Sequence, residues 1–258
     1  MFDAHCHLDR MDHHAAWIRA RNAGVQDVLI AGVDAEGWAK QNAIHDSHTH
    51  VAWGLHPWAV AQRSVDETKH QMDQLRQMLA APPVQPIALG ETGLDYSNRI
   101  PTESRPNQSV IFRQHIQLAK EYDLPLILHI VRAHNEALSI LKQEGLPPSG
   151  GMVHSFSGSK EIAHQYIDIG LHISFSGTVV DERRKGVQNA AQSIPVDRML
   201  VETDSPDQTP ITRRPSSNEP AFLVDVINAV ATLRGEDFGT VATYTRRNAC
   251  LLFKLKRP

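Results

Sequence analysis

Phe2-Asp3-Ala4-His5-Cys6-His7 reads as a short buried strand that stops on two histidines. Side chains alternate along a strand, so His5 and His7 fall on one face and Cys6 on the other. Two imidazoles placed in this way can grip one metal ion, while Cys6 would pack against a helical layer. An isolated His-x-His pair often has no function, so its meaning depends on where the other apolar runs of the chain stop.

Seven further runs read as buried strands, at residues 25–33, 50–56, 86–91, 125–131, 151–155, 171–176 and 199–204. Stretches with helical spacing lie between and after them. In residues 110–122 the apolar positions are Ile111, Phe112, Ile116 and Leu118, and residues 135–143, 160–169 and 218–233 behave alike. Strand–helix alternation predicts a parallel sheet covered on both faces. An open, doubly wound sheet fits the same string. Eight units favour closure, however, and no Gly-rich dinucleotide loop follows the first strand. The fold class expected is therefore α/β, a single (β/α)8 TIM-barrel domain over residues 1–258, a length close to the roughly 250 residues typical of that barrel. The least regular stretch, 207–217, is rich in Pro, Thr, Ser and Arg and reads as a long loop after the eighth strand.

The strands stop on polar residues of a restricted kind: His5 and His7, then Glu91, His129, His154 and Asp204. In a barrel these carboxyl ends converge on the face that carries active sites. Each residue has an ordinary explanation when taken singly. His129 or His154 could be a satisfied core histidine, Asp204 a helix cap and Glu91 a turn residue. Their coincidence at one rim favours a metal cluster. Four neutral imidazoles and two carboxylates can hold two divalent ions, and the sum, roughly +4 against −2, leaves about +2 to attract an anion. Imidazole donors suit Zn or Mn, and carboxylates with open positions tolerate Mg. The ligands are scattered over about 200 residues, unlike the compact closed set of a structural zinc site, which favours catalysis.

Composition narrows the alternatives. A hydrophobic content of 41%, with 21% charged residues, describes an ordinary globular chain, and no apolar run reaches the roughly 18 residues of a membrane helix. The opening residues show no basic and apolar leader pattern, and two cysteines do not make a disulfide framework, so a cytoplasmic protein is expected. A formal charge of −3 argues against a protein that coats nucleic acid, but not against an enzyme with a local phosphate site. Most of the 15 histidines, His13, His14, His48 and His70 among them, read as surface residues.

The motifs Asp3-Ala4-His5-Cys6-His7-Leu8-Asp9, Gly54-Leu55-His56-Pro57 and Gly90-Glu91-Thr92-Gly93-Leu94-Asp95-Tyr96 run in a recognisable order. Leu128-His129-Ile130-Val131-Arg132, Val153-His154-Ser155-Phe156-Ser157-Gly158, Glu202-Thr203-Asp204-Ser205-Pro206 and Asn218-Glu219-Pro220 follow. Through them nearly the whole chain resembles the TatD-type metal-dependent hydrolases. The resemblance implies a binuclear site, with His5, His7 and Asp204 on one ion, His129 and His154 on the other, and Glu91 bridging. It makes Asp204 the proton acceptor for metal-activated water. It also implies a deoxyribonuclease, trimming DNA from the 3′ end, or a deacylase or other ester or amide hydrolase, since relatives of both kinds exist. The chain departs from the family pattern at Asp207-Gln208 and at Arg213-Arg214-Pro215-Ser216-Ser217, loops that would meet substrate.

Beyond the metal set, Arg132 is expected to contact phosphate, because a guanidinium matches two phosphate oxygens, with a surface salt bridge as the rival reading. His56 is expected to border the pocket and touch substrate, although Pro57 could mark an ordinary turn. Glu202 shares a strand face with Asp204, where it could orient a ligand imidazole or make a buried structural hydrogen bond. No obligate protein partner and no membrane partner is expected. A non-enzymatic metal-binding scaffold is the remaining class. Loops 95–106 and 207–217 separate nuclease from ester hydrolase: basic residues converging on one groove favour the first, and an acidic rim weakens it.

Overall fold

The computed structural model describes residues 1–255. Eight parallel strands stand in sequence order: β1 (Phe2–Cys6), β2 (Asp27–Ile30), β3 (Thr49–Trp53), β4 (Ala88–Asp95), β5 (Leu126–Val131), β6 (Gly151–Val153), β7 (His172–Phe175) and β8 (Met199–Val201). The connections carry α1 (His13–Asn22), α2 (Ala35–Ile44), α3 (Pro57–Ala61), α4 (Val65–Ala80), α5 (Arg105–Tyr122), α6 (His134–Glu144), α7 (Lys160–Asp168) and α8 (Lys185–Ser193). After β8 come α9 (Leu223–Arg234) and α10 (Phe238–Leu252). This is the (β/α)8 barrel that the alternation of the sequence predicts. Among the described residues no helix is long and apolar enough to cross a membrane.

Strand periodicity sorts the core into two layers. Phe2, Ala4, Leu29, Ala52, Ala88, Ile127, Met152 and Leu200 fill the barrel, and the end of α10 closes its floor with Ala249, Leu252 and Phe253. The alternate positions, including Val28, Ile30, Trp53, Leu128 and Phe175, meet the helices outside, and Cys6 joins them, although in step with Phe2 and Ala4, because a bulge shifts the alternation in β1. Cys6 thus lies in the helical layer, on the opposite face from its histidine neighbours. Helix starts are marked locally: Asp12, Asp34, Ser159 and Asp237 accept first-turn N–H groups, and Ser64 with Glu67 forms a capping box on α4.

The seam between β8 and β1 is closed by residues just past the ladder. Asp204 N–H donates to His5 O (2.9 Å) and His7 N–H to Ser205 O (2.7 Å). The buried Asp3 carboxylate accepts from Thr203 N–H (2.9 Å) and from its hydroxyl (2.5 Å). These bonds stitch together the two chain segments that carry His5, His7 and Asp204.

Two strands are irregular where it matters. In β4, Leu89 pairs with Leu126 but Thr92 with Leu128, so one extra residue is taken up around Gly90–Glu91. In β1, Asp3 pairs with Val28 but Cys6 with Ile30, with the extra residue around Ala4–His5. Such bulges bend a strand and re-aim a side chain. The fourth strand also runs on to Asp95, beyond the expected stop at residue 91, because Gly93, Leu94 and Asp95 pair with His129, Ile130 and Val131. The eighth ladder stops at Val201, earlier than expected, since Thr203 turns its N–H to the Asp3 side chain and Asp204 adopts φ 56°. Of the helical stretches, 110–122 begins five residues earlier, and 218–233 opens as a 3-10 turn at Pro220–Phe222 before α9.

Gly54 follows β3 and lets that strand lie against the β4 bulge. A Cβ there would stand 2.4 Å from Glu91 O and 2.6 Å from the Gly90 backbone. Backbone cannot swing aside as a side-chain tip can. Gly54→Ala is therefore expected to destabilise the protein by about 3 kcal/mol or more, measured by urea unfolding; a change under about 0.5 kcal/mol would show that the two strands can separate freely.

Candidate metal centre

Glu91 is the hub of the carboxyl-end face. It is buried, with Oε1 at 3.6 Å from His5 Nε2 and 3.4 Å from His7 Nε2. Its other oxygen, Oε2, lies 2.9 Å from His154 Nε2 and 3.6 Å from both His129 Nδ1 and His56 Nε2. Asp204 completes the first side: its Oδ1 is 3.6 Å from His5 Nε2 and 3.7 Å from His7 Nε2. All six expected ligands, together with His56, therefore meet in one place. Asp204 caps no helix among the described residues, and it holds a left-handed backbone conformation that is uncommon for a non-glycine residue.

The donors fit divalent cations on two grounds. The first is distance. Bonds of roughly 2.0–2.2 Å put neighbouring ligand atoms roughly 3.0–3.5 Å apart, close to the separations seen. The set divides into groups whose ligand atoms lie within 4.8 Å of one another, among them His5–His7–Asp204, His5–Glu91–His154 and His56–Glu91–His129. The second is unmet hydrogen bonding. Both ring nitrogens of His5 and Glu91 Oε1 are buried with no hydrogen-bond partner among the described residues, an arrangement that costs free energy unless a ligand satisfies it.

The outer nitrogens decide which lone pairs point inward. A carbonyl or carboxylate oxygen accepts, so the nitrogen facing it carries the proton. His7 Nδ1 donates to Ala31 O (3.2 Å), His129 Nε2 to Asp95 Oδ2 (3.1 Å) and His154 Nδ1 to Glu202 Oε1 (3.3 Å). In His7 and His129 this leaves the other nitrogen free to meet an ion, whereas His154 Nε2 also faces Glu91 Oε2 at 2.9 Å and His129 Nδ1 at 3.1 Å, where an ion would take the place of a proton. Glu202 Oε1 also accepts the Ser155 N–H (2.6 Å), so it both orients an imidazole and ties down the β6 end. Asn218 anchors the β8 end by donating to Thr203 O (2.7 Å) and Asp207 O (2.5 Å).

Charges in the pocket are strongly coupled. Burial alone would raise the Glu91 carboxyl, but His5, His56 and His154 around it hold it well below the usual carboxylate range. Burial pushes Asp204 up, and Glu202 and Glu91 add to that despite the opposing pull of His154. Burial would lower His129 and His154, yet Asp95 and Glu91 raise the first, and Glu91 and Glu202 raise the second. His5, buried beside His154, is pushed well down and is neutral.

Sequence reasoning assigned no role to Asp95, although it stands in the Gly90–Tyr96 motif. Its Oδ2 accepts from His129 and from Trp58 Nε1 (2.7 Å). Burial opposes its ionisation, but the bonds from His129 and Ser97 hold it below the usual range. The available signal was its strand: had β4 been extended through Gly93, Asp95 would have shared a face with Glu91 at even spacing. Asp95 and Glu202 also change the charge sum. With four inner carboxylates, two divalent ions would leave the inner pocket near neutral, not at the surplus of about +2 that two carboxylates imply.

Around this centre opens a cavity of about 1020 Å³. Its walls carry the exposed Trp58 and the cations Arg10, Lys40, Arg63, Arg99 and Arg214. Three are paired across the rim: Arg10 with Asp207 (3.2 Å), Lys40 with Glu36 (2.8 Å) and Arg63 with Asp34 (2.7 Å). Arg99 and Arg214, on the two loops singled out from sequence, make no hydrogen bond or ion pair among the described residues. Arg132 does not line the cavity; its guanidinium donates to Asn98 Oδ1 (2.9 Å), beside Arg99.

An eight-stranded barrel with imidazoles and carboxylates gathered at the carboxyl ends of its strands is the design of a metal-dependent hydrolase. The model of the family described as TatD related DNase matches residues 2–254, and the chain belongs to this family. It is 32% identical to the uncharacterized metal-dependent hydrolase YcfH of Escherichia coli K12, over 99% of this chain and 96% of that protein. It is 34% identical to the 3′-5′ ssDNA/RNA exonuclease TatD of Rahnella sp. strain Y9602, over 92% and 90% of the two chains. The crystal structure of YjjV, a TatD homologue from Escherichia coli K12, superposes with a TM-score of 0.92 at 30% identity, covering 99% of this chain and 98% of that one. The protein is thus a metal-dependent hydrolase.

His129, His154 and Asp204 all hold protons to a higher pH than usual, and an incoming cation must displace them. Ion affinity is therefore expected to rise as pH rises past the ordinary histidine value of about 6.5, with protons released on binding. Calorimetry in buffers of different ionisation enthalpy measures both, and a pH-independent affinity without proton release would contradict this charge assignment.

Proposed function

We propose that the protein is a nuclease that holds two divalent ions and removes nucleotides from the 3′ end of single-stranded DNA. In this reading His5, His7 and Asp204 would hold one ion, His129 and His154 the other, and Glu91 would be shared between them. The observation that carries the proposal is the pairing of that carboxylate–imidazole centre with a cavity wall bearing Trp58, Arg99 and Arg214. The inner pocket is close to neutral once ions are bound, so the pull on a polyanion comes from the two unpaired guanidinium groups. Each can present two N–H donors to a phosphate. The exposed indole offers a face on which a base can stack whatever its identity. The relative named as a 3′-5′ exonuclease supports the polarity.

Ions bound here would supply a nucleophile from water at neutral pH and neutralise charge on the phosphoryl oxygens. The chain's own residues do the rest. Asp204, at the cavity floor and held against His5 and His7, takes or orients the proton of the attacking water. Asp95 and Glu202 keep the His129 and His154 lone pairs aimed inward. The rim guanidiniums fix the phosphate so that attack is in line.

Metal-stripped protein resupplied with Mg²⁺, Mn²⁺ or Zn²⁺ is expected to release nucleotides from 3′-labelled single-stranded DNA, and Asp204→Asn or Glu91→Gln to abolish release. Absence of release from protein carrying two ions would sink the DNA reading and direct a screen to aminoacyl and other esters. Trp58→Ala is expected to raise KM for an oligonucleotide about tenfold, with Trp58→Phe recovering most of the loss. A fall in kcat alone would mean that the indole acts only through Asp95.

A further inference from the structure

Five imidazoles surround Glu91, and four of them suit a metal ion. His56 differs, and the reason begins in the sequence Gly54-Leu55-His56-Pro57-Trp58. Pro57 opens α3 and has no N–H, so the first backbone donor of that turn is Trp58. Trp58 N–H donates to His56 Nδ1 at 2.9 Å. A backbone N–H can only donate, so Nδ1 is the bare nitrogen of the ring, and the single proton of neutral His56 sits on Nε2. With Nδ1 occupied as an acceptor, the ring cannot also carry a proton there and so is not an imidazolium.

The buried ring therefore turns an N–H, not a lone pair, into the cavity, 3.6 Å from Glu91 Oε2 and without a hydrogen-bond partner at that nitrogen among the described residues. His7, His129 and His154 have the reverse arrangement, each with an acceptor behind the outer nitrogen. Proximity alone groups His56 with Glu91 and His129 as candidate ligands. Ligation through Nε2 would require the ring to lose its only proton, which the other imidazoles do not need to do.

We propose that His56 is not a metal ligand but a fixed, neutral hydrogen-bond donor, giving its Nε2–H to an oxygen of the scissile phosphate or of the equivalent acyl group. The proposal rests on the ligand assignment given above. A neutral donor suits this position: it can stand beside bound cations without repelling them, and it favours an oxygen that gains negative charge during reaction. The role would hold for a phosphoester or a carboxylic ester alike.

The test compares His56→Asn, His56→Ala and His129→Ala with the unsubstituted protein. Asparagine keeps an acceptor for the Trp58 N–H and caps the turn well, but its amide is too short to place a donor where Nε2 lies. Ions per chain are counted after loading with Mn²⁺, and binding of inorganic phosphate to the loaded proteins is measured by calorimetry. The His56→Asn and His56→Ala proteins are expected to carry as many ions as the unsubstituted protein while binding phosphate about tenfold more weakly or worse. His129→Ala is expected to lose ion content. Loss of an ion from His56→Asn would make His56 a ligand and overturn the proposal, as would full ion content with unchanged phosphate affinity. Full ion content in His129→Ala would instead overturn the ligand assignment beneath it, and the proposal with it. Nuclease activity is not needed for any of these outcomes.

Discussion

Glu91 has both carboxylate oxygens inside the protein, one turned to His5 and His7 and the other to His56, His129 and His154. Burying an ionised carboxylate is unfavourable by several kcal/mol or more in the absence of partners, and here the partners come from β1, β5, β6 and the segment after β3. Bringing those elements around one carboxylate requires a closed barrel, because in an open sheet β1 and β5 would stand four strands apart with no shared centre. The β1 and β4 bulges, the seam bonds of Asp3 to Thr203 and the close passage of Gly54 over Gly90–Glu91 all serve this placement.

Ring orientation is the next level of control. Four of the five inner imidazoles have a group behind them that accepts or donates, namely Ala31 O, Asp95, Glu202 or the Trp58 N–H, while both ring nitrogens of His5 lack a hydrogen-bond partner among the described residues. Those four contacts choose the tautomers and so divide the ring of histidines into lone pairs and one N–H. The choice belongs to the scaffold and stands whichever substrate the cavity receives. Facing carboxylates also hold His129 and His154 above the ordinary histidine range.

The cavity wall obeys a different logic from its floor. Arg10, Lys40 and Arg63 are paired with neighbouring carboxylates; the first two pairs are exposed and contribute little to stability, while Arg63 and Asp34 are half-buried. Their effect is to leave Arg99 and Arg214 as the cations of the cavity wall without a partner among the described residues. These two cations stand on loops 95–106 and 207–217, and the second of those loops is where the chain departs from the family pattern.

Much of this protein was legible in the sequence because it is written in local periods. Eight apolar runs with helical stretches between them specify a parallel barrel, and a polar residue at the end of a run specifies what stands on the active face. His5, His7, Glu91, His129, His154 and Asp204 could be named in that way, since strand alternation makes side-chain direction a local property. The pairing of Glu202 with His154 could be anticipated as one of two options for the same reason. Tertiary structure alone decided the rest. The bulge that carries β4 on to Asp95, the bond from Asp95 to His129 and Trp58, and the turn of Arg132 toward Asn98 link residues 34 to 37 positions apart. So too the rim pairing of Arg10 with Asp207 spans 197 positions. A periodic pattern states which face a residue occupies, but not which distant group will meet it there. That meeting sets tautomer, charge and accessibility, and with them the chemistry of the site.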